Sequence, residues 1–249
     1  EIKLSEKHNA KIESFAGNDT IVLEDNFETG TLQNWKQTSD WEVSSAEKIS
    51  GAYSLKHSTK AVAGNSFTFH QAKADLKTLD LEWKFALKNG NWDPSSSNRF
   101  WFYLCADTTK TDQINGFAVG VNISGSSDLL ELWRIRNSKA DSLIVESDLD
   151  WNASTLANIN VKRTAKGIWS LQYQKAGEAK SKLFRGADAT TFSFTNIGLL
   201  FSFTATRAGQ LWFDDLLVTK HPAQLFVEKL TLIDAHTIRL TFNNPVAAS

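Results

Sequence analysis

The chain has 249 residues, 27 basic against 28 acidic, for a formal net charge of -1. That balance lacks the basic field that displaces counterions from a polyanion, which argues against nucleic acid as a partner. No apolar run approaches the roughly 18–20 residues a helix needs to cross a bilayer, which argues against membrane insertion, and 41% hydrophobic with 22% charged residues describes an ordinary globular chain.

Residues 1–20, "EIKLSEKHNAKIESFAGNDT", are polar and predict an irregular lead-in or edge strand. They hold no signal-peptide core, so any targeting segment was removed or never existed. From 21 to 220 strand signals dominate. "LDLEWKFALK" (79–88) alternates, with Leu79, Leu81, Trp83, Phe85 and Leu87 on one side and Asp80, Glu82 and Lys84 on the other. "FWFYLCAD" (100–107) does not alternate: Phe100, Phe102 and Leu104 point one way, and Trp101, Tyr103 and Cys105 are just as apolar the other way. Either a loop covers that second side or a ligand binds there. "GFAVGVNI" (116–123) sets Phe117, Val119 and Val121 against the small Ala118 and Gly120, and "DLLELWRIR" (128–136) sets Glu131, Trp133 and Ile135 against Leu132, Arg134 and Arg136. Further strands are read in "NINVKRT", "GIWSLQYQK", "FTNIGLLFSFT" and "GQLWFDDLLVTK", separated by turns such as "KNGNWDPSSSN", "ISGSSD" and "TAKG". No amphipathic helix is evident; "SDLDWNASTLANIN" is the one place for a short helical turn.

About a dozen short strands with no helices between them predict an all-β fold, an antiparallel two-sheet jelly-roll sandwich. At "KHPAQ" Pro222 interrupts the pattern, and 221–249 begins a fresh hairpin that reads as the start of an immunoglobulin-like module, cut short. The absence of Met and an ending just after an apparent strand point to a segment of a longer precursor. The single cysteine, Cys105, cannot form an internal disulfide and reads as a small buried residue. Stability must then come from a large core, which nine Trp and sixteen Phe can supply.

From Asp25 to about Lys220 the chain resembles the concanavalin A-like sandwich at the N-terminus of secreted Bacteroidetes surface proteins, often paired with lamin-tail or immunoglobulin-like domains. The matching pieces are "EDNFETGTLQNW", "SSSNRFWFYLCAD", "INGFAVGV", "GSSDLLELWRI", "INVKRTAKGIWSLQYQKAG" and "LWFDDLLV", in that order, with "LTFNNPV" (240–246) opening the next domain. The resemblance implies an extracytoplasmic location and a lectin-like fold; it implies no particular activity.

Three constellations carry chemistry. Acidic residues where first and last strands meet can hold a structural Ca²⁺, which takes six to eight oxygens; Asp25, Glu28, Asp214 and Asp215 are the candidates, and their alternative role is capping turns. Sugar rings are held by aromatic faces with polar groups reading the hydroxyls. Trp83, Trp92, Trp101, Tyr103, Trp133 and Trp151 are candidate platforms, with Asn98, Arg134 and Arg136 as partners. Trp92 and Trp151, in loop-like sequence, are the preferred ones. For Trp101 and Tyr103, the loop "NGNWDPSSS" could instead fold over them. Thirdly, laminarinase- and lichenase-type glycosidases, which share this general fold, carry E-x-D-x-x-E on one strand, placing carboxylates on a common face for acid and nucleophile roles. The nearest pattern, Glu146, Asp148 and Asp150, lacks the final Glu, and Asp128 and Glu131 fall on opposite faces. The five histidines show no ligand spacing, and no phosphate loop or nucleophile elbow exists. The sequence therefore predicts a non-catalytic module that binds a glycan or serves in adhesion, with a glycoside hydrolase and a ligand-free spacer as competing readings. No cofactor is required, a structural Ca²⁺ being the one candidate, and the expected partners are a polysaccharide or glycan and downstream domains of the same precursor.

Overall fold

The computed structural model describes residues 2–3, 19–58, 62–222, 227–234 and 236–242. Most of the expected lead-in, and residues 243–249 of the expected next domain, lie outside them. The strands in chain order begin with β1 (Ile2–Lys3), β2 (Thr20–Asp25), β3 (Trp35–Lys36), β4 (Trp41–Ser44), β5 (Ser54–His57) and β6 (Gly64–Ala74). Next come β7 (Leu79–Asn89), β8 (Arg99–Ala106), β9 (Gly116–Val121), β10 (Leu129–Arg136), β11 (Lys139–Asp150) and β12 (Leu156–Arg163). The last are β13 (Ile168–Lys175), β14 (Lys182–Ala187), β15 (Phe194–Phe203), β16 (Leu211–Pro222), β17 (Val227–Asp234) and β18 (Thr237–Phe242). Among the described residues the one helical piece is a 3-10 turn at Ala205–Arg207, not in the 147–160 stretch where the sequence suggested one. Residues 151–155 instead link β11 to β12 without helix.

Two antiparallel sheets form the body. One runs β11-β10-β9-β8-β15-β6-β3, the other β14-β13-β12-β7-β16-β5-β4, with β2 on the flank of β16. The first full strand and the last therefore lie side by side, Asp25 opposite Leu216 and Glu24 opposite Leu217. This is the jelly-roll sandwich that the strand spacing predicted. A separate three-stranded sheet, β1-β18-β17, joins the expected hairpin to the chain's second and third residues.

The alternation seen in the sequence decides which side of each strand enters the layer between the sheets. Leu81, Trp83, Phe85 and Leu87 of β7 go in, as do Ala157, Ile159 and Val161 of β12, Leu171 and Tyr173 of β13, and Phe213, Leu216 and Val218 of β16. Facing them from the other sheet are Phe100, Phe102, Phe117, Val119, Leu130, Leu132, Leu199 and Phe201. Burying one large ring there is worth about 2–3 kcal/mol, so this layer carries the stability of a chain whose one cysteine, Cys105, is free and buried.

Candidate functional site

The outer side of the seven-stranded sheet is where the expected platform assembles. Strand register lines Trp101, Gly120 and Glu131 across β8, β9 and β10, and Tyr103, Ala118 and Trp133 in the next row. Trp101, Tyr103, Ala118 and Trp133 form a second apolar layer with Phe69, Ala106, Ile114, Ile123, Ile135 and Leu200. The layer is closed. Trp101 is 6% exposed and Tyr103 fully buried, and burial pushes the Tyr103 hydroxyl up to about 12. Phe67, Trp133 and Ala140 are partly open at the layer's edge, and the Trp133 indole N–H donates to Glu131 Oε2 at 2.7 Å. Burial also raises the Glu131 carboxyl, which faces Glu146 across the strand pair, although Trp133 and Ser127 oppose the shift. No hydrophobic residue of the "NGNWDPSSS" loop belongs to this layer, and the Arg99 guanidinium lies over the Trp101 ring. Ile114, brought by the 107–115 connection and tied to Ser138 at both its N–H and C=O, supplies part of the cover.

The two preferred platforms belong to the main core. Trp92 is 2% exposed; its ring stacks near Phe201 and its N–H donates to the carbonyl of Gln210. Trp151 is fully buried against Phe100, with its N–H on Asn89 Oδ1. Both do lie between strands as expected, yet their indoles turn inward, where Gln210 and Asn89, far away in sequence, satisfy the N–H groups. Neither offers a face to a sugar, and Trp83 is equally buried. Arg134 points away from Trp133 and holds Asp141 and Asp188. Arg136 also pairs with Asp141, at 3.1 Å. Asn98 is spent on the backbone and hydroxyl of Thr204.

The four expected metal ligands are already supplied with donors. Asp25 accepts the Phe27 amide and the Trp35 indole. Glu28 accepts the amides of Ala52 and Tyr53. Asp214, which burial pushes up, accepts the Ser54 hydroxyl at 2.6 Å and the amides of Ser50 and Asp215. Asp215 Oδ1 takes the Ser50 hydroxyl at 2.9 Å. Oxygens facing N–H and O–H groups do not suit a cation, and among the described residues no three His, Cys, Asp or Glu gather as a metal set. The four close loops, so they do not fit Ca²⁺. Likewise Glu146, Asp148 and Asp150 line one exposed side of β11, where Asp148 takes the Tyr173 hydroxyl and Lys182.

An open site lies on the other sheet. A trough of about 400 Å³ crosses its outer face, lined by Lys84, Asn158, Asn160, Gln172, Gln174, Ser181, Asp215 and Leu217, with Phe85, Ile159 and Tyr173 beneath. These side chains fall together because the strands run in register: Asn158 lies opposite Gln174, Asn160 opposite Gln172 and Lys84, and Lys84 opposite Leu217. Steps of two residues along a strand and one across give a grid of about 7 by 5 Å, near the size of one sugar ring. Behind it sits Glu82, 6% exposed at its side chain, with Lys84 and Lys162 each 3.3 Å from Oε1. Burial alone would push that carboxyl up; the Asn160 amide and the two ammonium groups more than reverse this and hold it below the usual range. Sequence reading passed over these amides. Their only signal was a strand whose polar side is Asn or Gln where Lys and Glu are more usual.

No family model and no curated protein matches the chain. Among solved structures it is similar to lectin UEA-II complexed with galactose, at 12% identity and TM-score 0.57, covering 81% of this chain and 99% of that one. The exoplasmic domain of VIP36 in a Ca²⁺-bound form gives 10% identity and TM-score 0.54, covering 90% and 96%. Lectin I-B4 from Griffonia simplicifolia, metal free, gives 9% and 0.53, covering 78% and 96%. These likenesses show the fold, that of the concanavalin A-like lectins.

Proposed function

We propose that this domain is a non-catalytic carbohydrate-binding module and that the trough on the eight-stranded sheet is its glycan site. The observation that carries the reading is the grid of Asn158, Asn160, Gln172 and Gln174 with Ser181 and Asp215 around an open cavity of about 400 Å³. Amides and a carboxylate are the groups that read hydroxyls, and Leu217 gives a sugar's C–H face an apolar contact. The fold shared with sugar-complexed lectins supports the same conclusion by analogy, while the site supplies the chemistry. A single shallow site binds weakly, which suits a module repeated or displayed on an extracytoplasmic surface protein, where avidity supplies the rest. In that setting residues 21–220 are the binding unit, 1–20 a lead-in, and 221–249 the start of an immunoglobulin-like neighbour, as in the Bacteroidetes proteins it resembles.

The test is calorimetric titration against a panel of soluble polysaccharides, with the double variant Gln172→Ala/Gln174→Ala alongside. Both side chains stand on the outer face, so the variant keeps the fold. Binding by the native chain and a loss of tenfold or more in the variant are expected. No binding across the panel, or binding unchanged by the variant, refutes the proposal.

A further inference from the structure

The hydrogen-bond polarity of the trough can be read amide by amide. A carboxylate and a backbone carbonyl can only accept, so an amide touching either must turn its NH₂ toward it. Asn160 gives its Nδ2 to Glu82 Oε1 at 2.8 Å, and Gln174 gives its Nε2 to the carbonyl of Glu178 at 3.0 Å. Gln172 gives its Nε2 to Ser181 Oγ at 2.6 Å. For Asn160 and Gln174 the partner fixes which end is the nitrogen, whereas Ser181 Oγ can donate as well as accept and does not fix Gln172. The Gln174 side chain is exposed and its carbonyl is left over for a ligand, while the Asn160 Oδ1 is buried out of a ligand's reach. Asp215 adds carboxylate oxygen to the same wall. The charges around the trough cancel: Lys84 and Lys162 against Glu82 and Asp215.

Resting on the trough being a sugar site, we infer that it selects its ligand by donors. It takes a neutral saccharide whose free hydroxyls donate to the Gln174 carbonyl and to Asp215. It rejects uronates and sulfated sugars, whose added oxygens only accept and would meet those two acceptors lone pair to lone pair.

The experiment uses the native chain and neutral hexasaccharides of gluco, manno and galacto configuration. The best binder is then compared with singly deoxyfluorinated analogues, in which fluorine keeps the size of a hydroxyl but cannot donate, and with hexagalacturonate. At least one fluorinated position should lose about tenfold in affinity, and the uronate should show no measurable binding. Gln174→Leu should weaken the parent sugar but not the analogue already lacking the hydroxyl that donates to it, as expected of a coupled pair. Fluorinated sugars and uronate binding as tightly as the parent overturn the donor rule while leaving the carbohydrate reading in place. If no neutral hexasaccharide binds, both fall together. Because the ligand series needs only the native chain, it decides the matter even if Gln174→Leu fails to fold.

Discussion

His57 should make the fold acid-labile in a defined window. The ring is fully buried, packed edge-on against Trp41, Phe201 and Phe203. Its Nδ1 faces the backbone N–H of Gly209 at 2.9 Å, and a backbone N–H can only donate, so Nδ1 must be the bare acceptor. Nε2 then carries the proton and donates to Ser66 Oγ at 2.9 Å, whose hydroxyl passes on to Asp40 Oδ2 at 2.7 Å. Protonating Nδ1 would set N–H against N–H in a dry site. Burial accordingly drives the pKa down from 6.5 to about 4, with Asp40 pulling the other way. Between those values the unfolded chain holds a proton the folded one refuses, so stability rises with pH there and is lost as pH falls. At about 1.4 kcal/mol per pH unit the loss across the window approaches 3 kcal/mol, a large share of a domain's 5–15. Asp214 and Glu131, both raised, shift the acid limb the opposite way. They are common to native chain and variant, so the informative quantity is the difference between native and His57→Asn. Urea unfolding midpoints from pH 4 to 7.5 should show the native chain losing stability relative to the variant below about 6.5. A difference that stays flat, or that favours the native chain at low pH, refutes the neutral-ring account.

Trp92→Ala and Trp151→Ala should each cost about 3–5 kcal/mol, read as a fall in thermal midpoint, with saccharide affinity per folded molecule unchanged. A loss of binding without a loss of stability would return those rings to the ligand. Adding a strong chelator to metal-treated protein should leave the melting temperature where it was, because Asp25, Glu28, Asp214 and Asp215 are held by amide and hydroxyl donors. A drop of several degrees would mean that a cation displaces those donors.

What period and composition can encode is which side of a strand is wet, and here that sufficed for the architecture. Leu81, Trp83, Phe85 and Leu87 enter the core as their spacing demanded, and β2 closes against β16 where the acidic ends were expected to meet. The doubly apolar β8 shows where this logic stops. Its second face is dry because the chain covers it, and the rings fit because their cross-strand neighbours are small. Phe69 lies across Gly198, where a Cβ would collide with its ring, and Gly120 leaves no space for a Cβ beside Trp101. Nothing in "FWFYLCAD" says whether its cover is protein or ligand, since either leaves the same residues apolar. The trough was hidden by the opposite ambiguity. "NIN" and "LQYQ" alternate like any solvated edge, and a polar side that binds looks like a polar side that is merely wet. What separates them is contact across strands far apart in sequence: Asn160 meeting Glu82, which fixes the amide, and Gln172 falling beside Asn160, which builds the grid. Such pairings depend on register, and register is set by the whole sheet at once. The Trp residues misled for a related reason. Trp92 and Trp151 do lie between strands, but the groups that take their N–H, the Gln210 carbonyl and Asn89, come from distant parts of the chain and show only once it is folded. In a sandwich this rich in indoles, a loop position is therefore no sign that a Trp is exposed.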